Sequence, residues 1–314
     1  MRTKPLSDVV GVELLDYDVT NTLTPDEAAE LRHLFVEHQI VCVRGQNPSL
    51  ADHDRFTGYF GPLAEMLANG DTGYVSNVVA GGAAVKGGGP VAVTGTKELL
   101  WHADGTYGPH PGIGTSLLAI QAEPGCTPTQ FANGVRALKK LPPKLRARIE
   151  GLNAIHLRDT VASDTGKPWR DIYMPKDAEP GRIRTYEHPL VYKGPHTDNE
   201  TLFVNYLMLS HIQNLPREEG DALLDELYAH MHADDNVYTH HWQQGDMLIW
   251  DNICLQHRRP DEMGGAARHF RRLVLDGWYE DDGTMIDWFV TSSPRDLAMF
   301  GRTAEMAKYG ADNY

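Results

Sequence analysis

Cysteine is scarce, with three in 314 residues. Cys42, Cys126 and Cys254 are odd in number, widely separated and without CxxC spacing. That argues against a disulfide framework or a thiolate zinc centre and fits a reducing compartment. Long apolar runs are missing too, so nothing approaches the roughly 18 residues needed to span a membrane. The basic residues of Met1-Arg2-Thr3-Lys4 are not followed by the apolar stretch of a signal peptide. No membrane partner is expected, and the cytoplasm is the default location. Positive charge is also short, because 29 Lys and Arg face 43 Asp and Glu for a formal net charge of -14. A chain so acidic is not expected to bind nucleic acid, whose phosphates demand clustered Lys and Arg. No internal repeat is present.

What is there suits one large domain over residues 1–314, since 41% of the residues are hydrophobic. Thr24-Pro25-Asp26-Glu27 predicts a helix start: Thr24 caps, Pro25 takes the first helical position and Glu27 completes a capping box. Ile40-Val41-Cys42-Val43 predicts a short buried strand, and a second helix is expected over about residues 49–59. Residues 80–97, with Gly81-Gly82 and Gly87-Gly88-Gly89-Pro90, read as a flexible loop, either an idle surface segment or a lid. No Gly-Lys-Ser/Thr follows, so it is not a phosphate loop. Strands are expected at 116–122, 202–207, 247–250 and 271–278, and helices at 133–140, 143–151 and 216–231. Leu223, Leu224, Leu227 and Tyr228 should face inward from the last of these. The absence of a regular strand–helix alternation disfavours a doubly wound sheet.

His-x-Asp occurs three times, at His102/Asp104, His196/Asp198 and His232/Asp234. On a strand, positions i and i+2 share a side and can reach one ion; on a helix they diverge. His232/Asp234 falls at the end of the 216–231 helix, where His230 and His232 would serve the helix dipole. His196/Asp198 lies in turn chemistry, Lys193-Gly194-Pro195-His196-Thr197-Asp198. His102/Asp104 follows Leu99-Leu100-Trp101, an apolar approach ending in polar ligands. Downstream, Gly245-Asp246-Met247-Leu248-Ile249-Trp250-Asp251-Asn252 reads as turn, buried strand, turn, with His257 shortly after. Two histidines and one carboxylate can cap one face of an Fe(II) ion and leave open positions. A strand from Arg268 should run antiparallel to the 247–250 strand, with Arg268, Phe270, Arg272 and Val274 on one side. Trp101, Tyr107 and Trp250 are candidate apolar walls.

With these blocks in order, the chain resembles the taurine dioxygenase / 2,4-dichlorophenoxyacetate dioxygenase family of Fe(II)- and 2-oxoglutarate-dependent oxygenases. The carrying blocks are Thr24-Pro25-Asp26-Glu27, Arg44-Gly45, Phe60-Gly61-Pro62-Leu63, Trp101-His102-Ala103-Asp104, His188-Pro189-Leu190-Val191, Trp250-Asp251-Asn252 with His257, and Arg268. The resemblance implies a mainly β protein with inserted helices around a double-stranded β-helix, or jelly-roll, core. That core covers about residues 12–278, with residues 279–314 as a C-terminal extension. It implies that His102, Asp104 and His257 bind iron. Arg268 and Thr129 would hold the distal carboxylate of 2-oxoglutarate, and Arg272 would meet the substrate's anionic group; from its place after the His102/Asp104 segment, Tyr107 is also expected to meet the substrate. The implied reaction consumes O2 and 2-oxoglutarate, releases succinate and CO2, and oxidises a small, anionic organic molecule, most simply by hydroxylation. With Asp104 present, halogenation is not expected. After Leu63 the chain reads Ala64-Glu65-Met66-Leu67-Ala68-Asn69, without the histidine that can clamp a sulfonate, which counts against taurine. Two other readings keep the fold: a cupin-like metal-dependent hydrolase or isomerase, which has no need of Arg268 or Thr129, and a non-catalytic binding protein. Assembly into homo-oligomers is left open.

Overall fold

Cap chemistry places the first helices where the sequence predicts them. The computed structural model describes residues 1–64, 73–78, 98–159, 183–260 and 266–276. The Gly-rich segment 80–97 and the extension 279–314 lie outside the described residues. After β1 (Thr3–Pro5) and β2 (Val12–Leu14) comes α1 (Pro25–His38), with a complete capping box between Thr24 and Glu27. β3 (Ile40–Val43) leads to α2 (Leu50–Gly58), capped by Ser49 and Asp52 in the same way. β4 (Tyr74–Ser76), β5 (Leu99–His102), β6 (Gly114–Ala122) and β7 (Thr129–Asn133) follow. Next come α3 (Gly134–Lys140), α4 (Pro143–Arg148), β8 (Asn153–Asp159), β9 (Ile183–Pro189), β10 (Val191–Lys193), β11 (Glu200–Leu202) and β12 (Leu209–Ile212). The chain continues through α5 (Arg217–Met231), β13 (Val237–His240), β14 (Met247–Asp251), β15 (Leu255–Arg259) and β16 (Arg268–Leu275).

Two sheets face each other. The larger has the strand order β1-β2-β3-β14-β6-β16-β4, and the smaller β13-β7-β15-β5. With a second small sheet, β12-β8-β9, alongside, this is the mainly β jelly roll with inserted helices that the resemblance implies. Period-2 alternation explains the layering. Val41, Val43, Met247 and Ile249 point outward against Leu31, Phe35 and Phe56 of α1 and α2. Ile40, Cys42, Leu248 and Trp250 point inward to Phe131, Leu255 and Phe270. The near-continuous apolar runs of β3 and β14 follow from this burial on both faces. α3 and α5 cover the outside of the smaller sheet, with Leu223, Leu224, Leu227 and Tyr228 buried as expected. The three cysteines are buried and unpaired.

Two strand expectations need correction. β14 and β16 both run antiparallel to β6, which lies between them, so they are parallel to each other rather than antiparallel. The run 202–207 is mostly not a strand; β11 stops at Leu202. Asn205 ends it, because its side chain accepts from the Met208 amide at 3.1 Å while its carbonyl accepts from the Leu209 amide at 2.8 Å. A local amide bond of this kind competes with a ladder.

Candidate active site

β5 and β15 pair so that His102 and His257 are direct cross-strand partners, their ring centroids 4.1 Å apart. Asp104 is delivered differently from the sequence expectation. β5 ends at His102, so Asp104 sits in the following turn rather than two residues along a strand. Side chains, not a ladder, hold that turn. The Asp104 amide donates to Asn252 Oδ1 at 2.8 Å, and Asn252 Nδ2 donates to the carbonyls of Asp104 at 2.8 Å and Gly112 at 2.9 Å. From the opposite side, Asn205 Nδ2 donates to the Ala103 carbonyl at 2.8 Å and to Thr106 Oγ1 at 2.9 Å. One ligand atom from each of His102, Asp104 and His257 then lies within 4.8 Å of the others.

The protonation states suit a divalent metal. His102 Nδ1 lies 2.7 Å from the Leu100 carbonyl, which fixes Nδ1–H as a donor and leaves the Nε2 lone pair toward Asp104 Oδ1, 3.6 Å away. Burial holds His102 below the usual histidine range and pushes His257 down to about 3. Burial works against ionising Asp104, but its charged neighbours, among which the Arg272 and Arg158 guanidiniums stay cationic when the histidines are neutral, outweigh it and keep its carboxyl low. Neutral imidazoles and an ionised carboxylate are the ligand forms a metal requires. The buried Nδ1 of His257 has no hydrogen-bond partner among the described residues. This donor set fits Fe(II).

The three groups open into a cleft enclosing roughly 500 Å³ of non-atom space, part of it open to solvent. Its walls come from both sheets: Thr115, Leu117, Trp250, Arg268 and Arg272 from one, Leu99, Thr129 and Arg259 from the other. Arg268 is buried, and its Nη1 donates to the Thr127 carbonyl at 2.8 Å while Nη2 donates to Thr129 Oγ1 at 3.3 Å. Among the described residues no carboxylate pairs with it, and its buried Nε has no hydrogen-bond partner. Burial, reinforced by neighbouring Arg259, pulls Arg268 down to about 9, so it is still a cation at neutral pH. A desolvated guanidinium of this kind is built to receive an anion, and its planar fork suits a carboxylate. Arg272 Nη1 stands 4.0 Å from Asp104 Oδ2, beside the metal candidates.

The structure disposes of both decoys. His196 is buried with Nε2 2.9 Å from Asp251 Oδ2, while Asp198 points to solvent and pairs with Lys193. His232 lies between Trp101 (4.8 Å) and Tyr228 (5.8 Å) and is pushed down to about 4, chiefly by burial. It is therefore neutral and does not serve the helix dipole as a cation. Of the three apolar walls expected, only Trp250 lines the cleft. Trp101 packs outward beneath the guanidinium of Arg258, 4.7 Å from its ring centre. Tyr107 lies off the lining and accepts a hydrogen bond from Arg158 at 3.0 Å. Sequence reasoning overlooked Arg259, though it sits two residues beyond His257 on one strand and shares its side. It also gave no role to Trp242, which no local pattern marks.

Comparisons with known proteins place the chain in a family. Residues 2–274 match the family described as "Taurine catabolism dioxygenase TauD, TfdA family". The chain is 27% identical over 288 residues to the alpha-ketoglutarate-dependent 2,4-dichlorophenoxyacetate dioxygenase of Cupriavidus pinatubonensis, covering 86% of this chain and 96% of that one. In fold it is similar to a taurine dioxygenase from Burkholderia xenovorans, with a TM-score of 0.69 at 24% identity over 92% of this chain and 97% of that one. It is also similar in fold to AAD-2 in complex with Mn(II) and N-oxalylglycine, with a TM-score of 0.70 at 22% identity over 88% of this chain and 97% of that one. The hydrolase or isomerase alternative is not favoured by these relationships. The chain belongs to the TauD, TfdA family, enzymes that use Fe(II), 2-oxoglutarate and O2 to oxidise small molecules.

Proposed function

We propose that His102, Asp104 and His257 hold the Fe(II), that Arg268 and Thr129 hold the distal carboxylate of 2-oxoglutarate, and that the chain oxidises a small anionic organic acid. The observation that carries this reading is one cleft with three ligand atoms within 4.8 Å of each other and, on its wall, a buried arginine without a carboxylate. Fe(II) at this site would supply the activation of O2 that drives oxidative decarboxylation of 2-oxoglutarate to succinate and CO2 and oxidation of the substrate.

The protein's own contribution is placement. Arg268 and Thr129 fix the far end of the co-substrate, and Asn252 and Asn205 hold the turn that presents Asp104. Arg272, 4.0 Å from Asp104, is the cation for the substrate's anionic group. Trp250, Leu99 and Leu117 give the cleft apolar walls that exclude water. The relative active on 2,4-dichlorophenoxyacetate, itself a carboxylate, supports an acid as the substrate class.

The test is anaerobic. Fe(II) and 2-oxoglutarate together should produce a weak visible charge-transfer band with the wild-type protein. His102→Ala and Asp104→Ala should abolish it, and Arg268→Ala should demand about tenfold or more additional 2-oxoglutarate. A band that survives His102→Ala unchanged rules the assignment out. Succinate release across a panel of organic acids then identifies the substrate.

A further inference from the structure

Trp242 follows β13 and is buried between the two sheets, with its ring 4.5 Å from Phe270 and 4.6 Å from His240. Its Nε1–H donates to Thr129 Oγ1 at 3.0 Å. The same oxygen accepts from Arg268 Nη2 at 3.3 Å. An indole nitrogen and a guanidinium are donors only, whereas a hydroxyl oxygen has two lone pairs and one proton. Both lone pairs of Thr129 are thus engaged by groups that cannot accept. The hydroxyl proton must be given away, and no described residue accepts it. Since Thr129 lines the cleft, the direction left open to that proton is the cavity.

We infer that Trp242 is a positioning residue that fixes Thr129 as a hydrogen-bond donor to the distal carboxylate of the co-substrate. The inference rests on the co-substrate site proposed above. Without the indole N–H, the hydroxyl is free to turn its proton toward the vacated space and present a lone pair to the carboxylate, which would repel it. With the indole in place, an acceptor-only carboxylate meets the Thr129 O–H together with the N–H groups of Arg268 not already bonded within the protein. Trp242 also stands beside Arg268, whose guanidinium carbon is 6.0 Å from its ring centre and 4.5 Å from that of Phe270. It thus borders both donors but bonds only Thr129.

The experiment is an anaerobic titration of the Fe(II)-loaded protein with 2-oxoglutarate, read by the charge-transfer band, beside steady-state KM and kcat with respect to 2-oxoglutarate. Trp242→Phe should raise the dissociation constant about five- to tenfold and KM in parallel, with kcat and Fe(II) affinity little changed. Benzothienylalanine incorporated at position 242 keeps the bicyclic ring but lacks the N–H, and should give the same shift without a packing change. Thr129→Val should weaken binding about tenfold, and Thr129→Ser should restore it. In the Thr129→Val background, loss of the indole N–H should add less than about twofold. Unchanged 2-oxoglutarate binding in the benzothienyl variant overturns the inference, as does an equal penalty with and without the Thr129 hydroxyl. If Arg268→Ala and Thr129→Val also leave binding unchanged, it is the underlying co-substrate site that fails.

Discussion

Asn252 holds Asp104 by both backbone groups, donating to its carbonyl and accepting from its amide at 2.8 Å each. Because Asp104 lies beyond the end of β5, no ladder hydrogen bond substitutes for this grip. Asn252→Ala should therefore let the carboxylate wander and weaken Fe(II) binding about tenfold or more, as losses of outer supports commonly do. Isothermal titration with Fe(II) under argon would measure it, and an unchanged affinity would show that the turn is held by other contacts. Asp251, one residue earlier, is tied inward instead. Burial opposes its ionisation, but His196 and the backbone amide of Cys254 outweigh that and hold its carboxyl below the usual range.

At the scale of elements, β16 separates two kinds of arginine by alternation. Arg268 and Arg272 line the cleft, whereas Arg271 faces α2 and pairs with Asp54 at 2.6 Å. Arg271→Ala should thus leave 2-oxoglutarate affinity within about twofold of wild type, in contrast to Arg268→Ala. Phe270, between them, is fully buried and carries the Arg268 guanidinium over its ring. Phe270→Ala should cost about 3–5 kcal/mol of stability, measured by chemical denaturation at fixed metal concentration. A milder cost would mean that the inter-sheet core collapses into the space. At the other end of the chain, Thr24→Ala breaks the capping box of α1 and should cost about 1 kcal/mol in the same assay.

The whole molecule carries a set of buried, neutral histidines. Burial, with Arg271 nearby, pushes His53 down to about 3; burial, with His188 nearby, holds His156 well below its ordinary value; and burial pushes His232 down to about 4. Each is unprotonated in the folded chain and gains a proton on unfolding below the ordinary histidine value. Their contribution is therefore complete above about pH 6.5 and is lost as pH falls from there toward the folded values. For His232 alone the loss by pH 4 is about 3 kcal/mol. Melting temperatures from pH 7.5 to 4.5 should drop steeply below pH 6.5. His156, whose two ring nitrogens both lack hydrogen-bond partners among the described residues, offers a direct check. His156→Leu should flatten the acid limb, and an unaltered slope would exclude His156 as a contributor.

The sequence by itself was enough for the family, the fold class and the metal candidates. Periodicity and cap chemistry are local, so α1, α2, α5, β3 and β14 emerge where their residues predict. The order His102, Asp104, Thr129, His257, Arg268 is likewise readable along the chain. Tertiary structure decided how those residues are held. The hydrogen bonds from Asn252 to Asp104 join positions 148 residues apart, and that from Trp242 to Thr129 joins positions 113 apart. No periodicity encodes such pairings. His196 looks like a turn residue in sequence, yet chain reversal buries it against Asp251. The residue types that make the chemistry are fixed in one dimension. Their directions come from hydrogen bonds between strands that meet only when the two sheets close on each other.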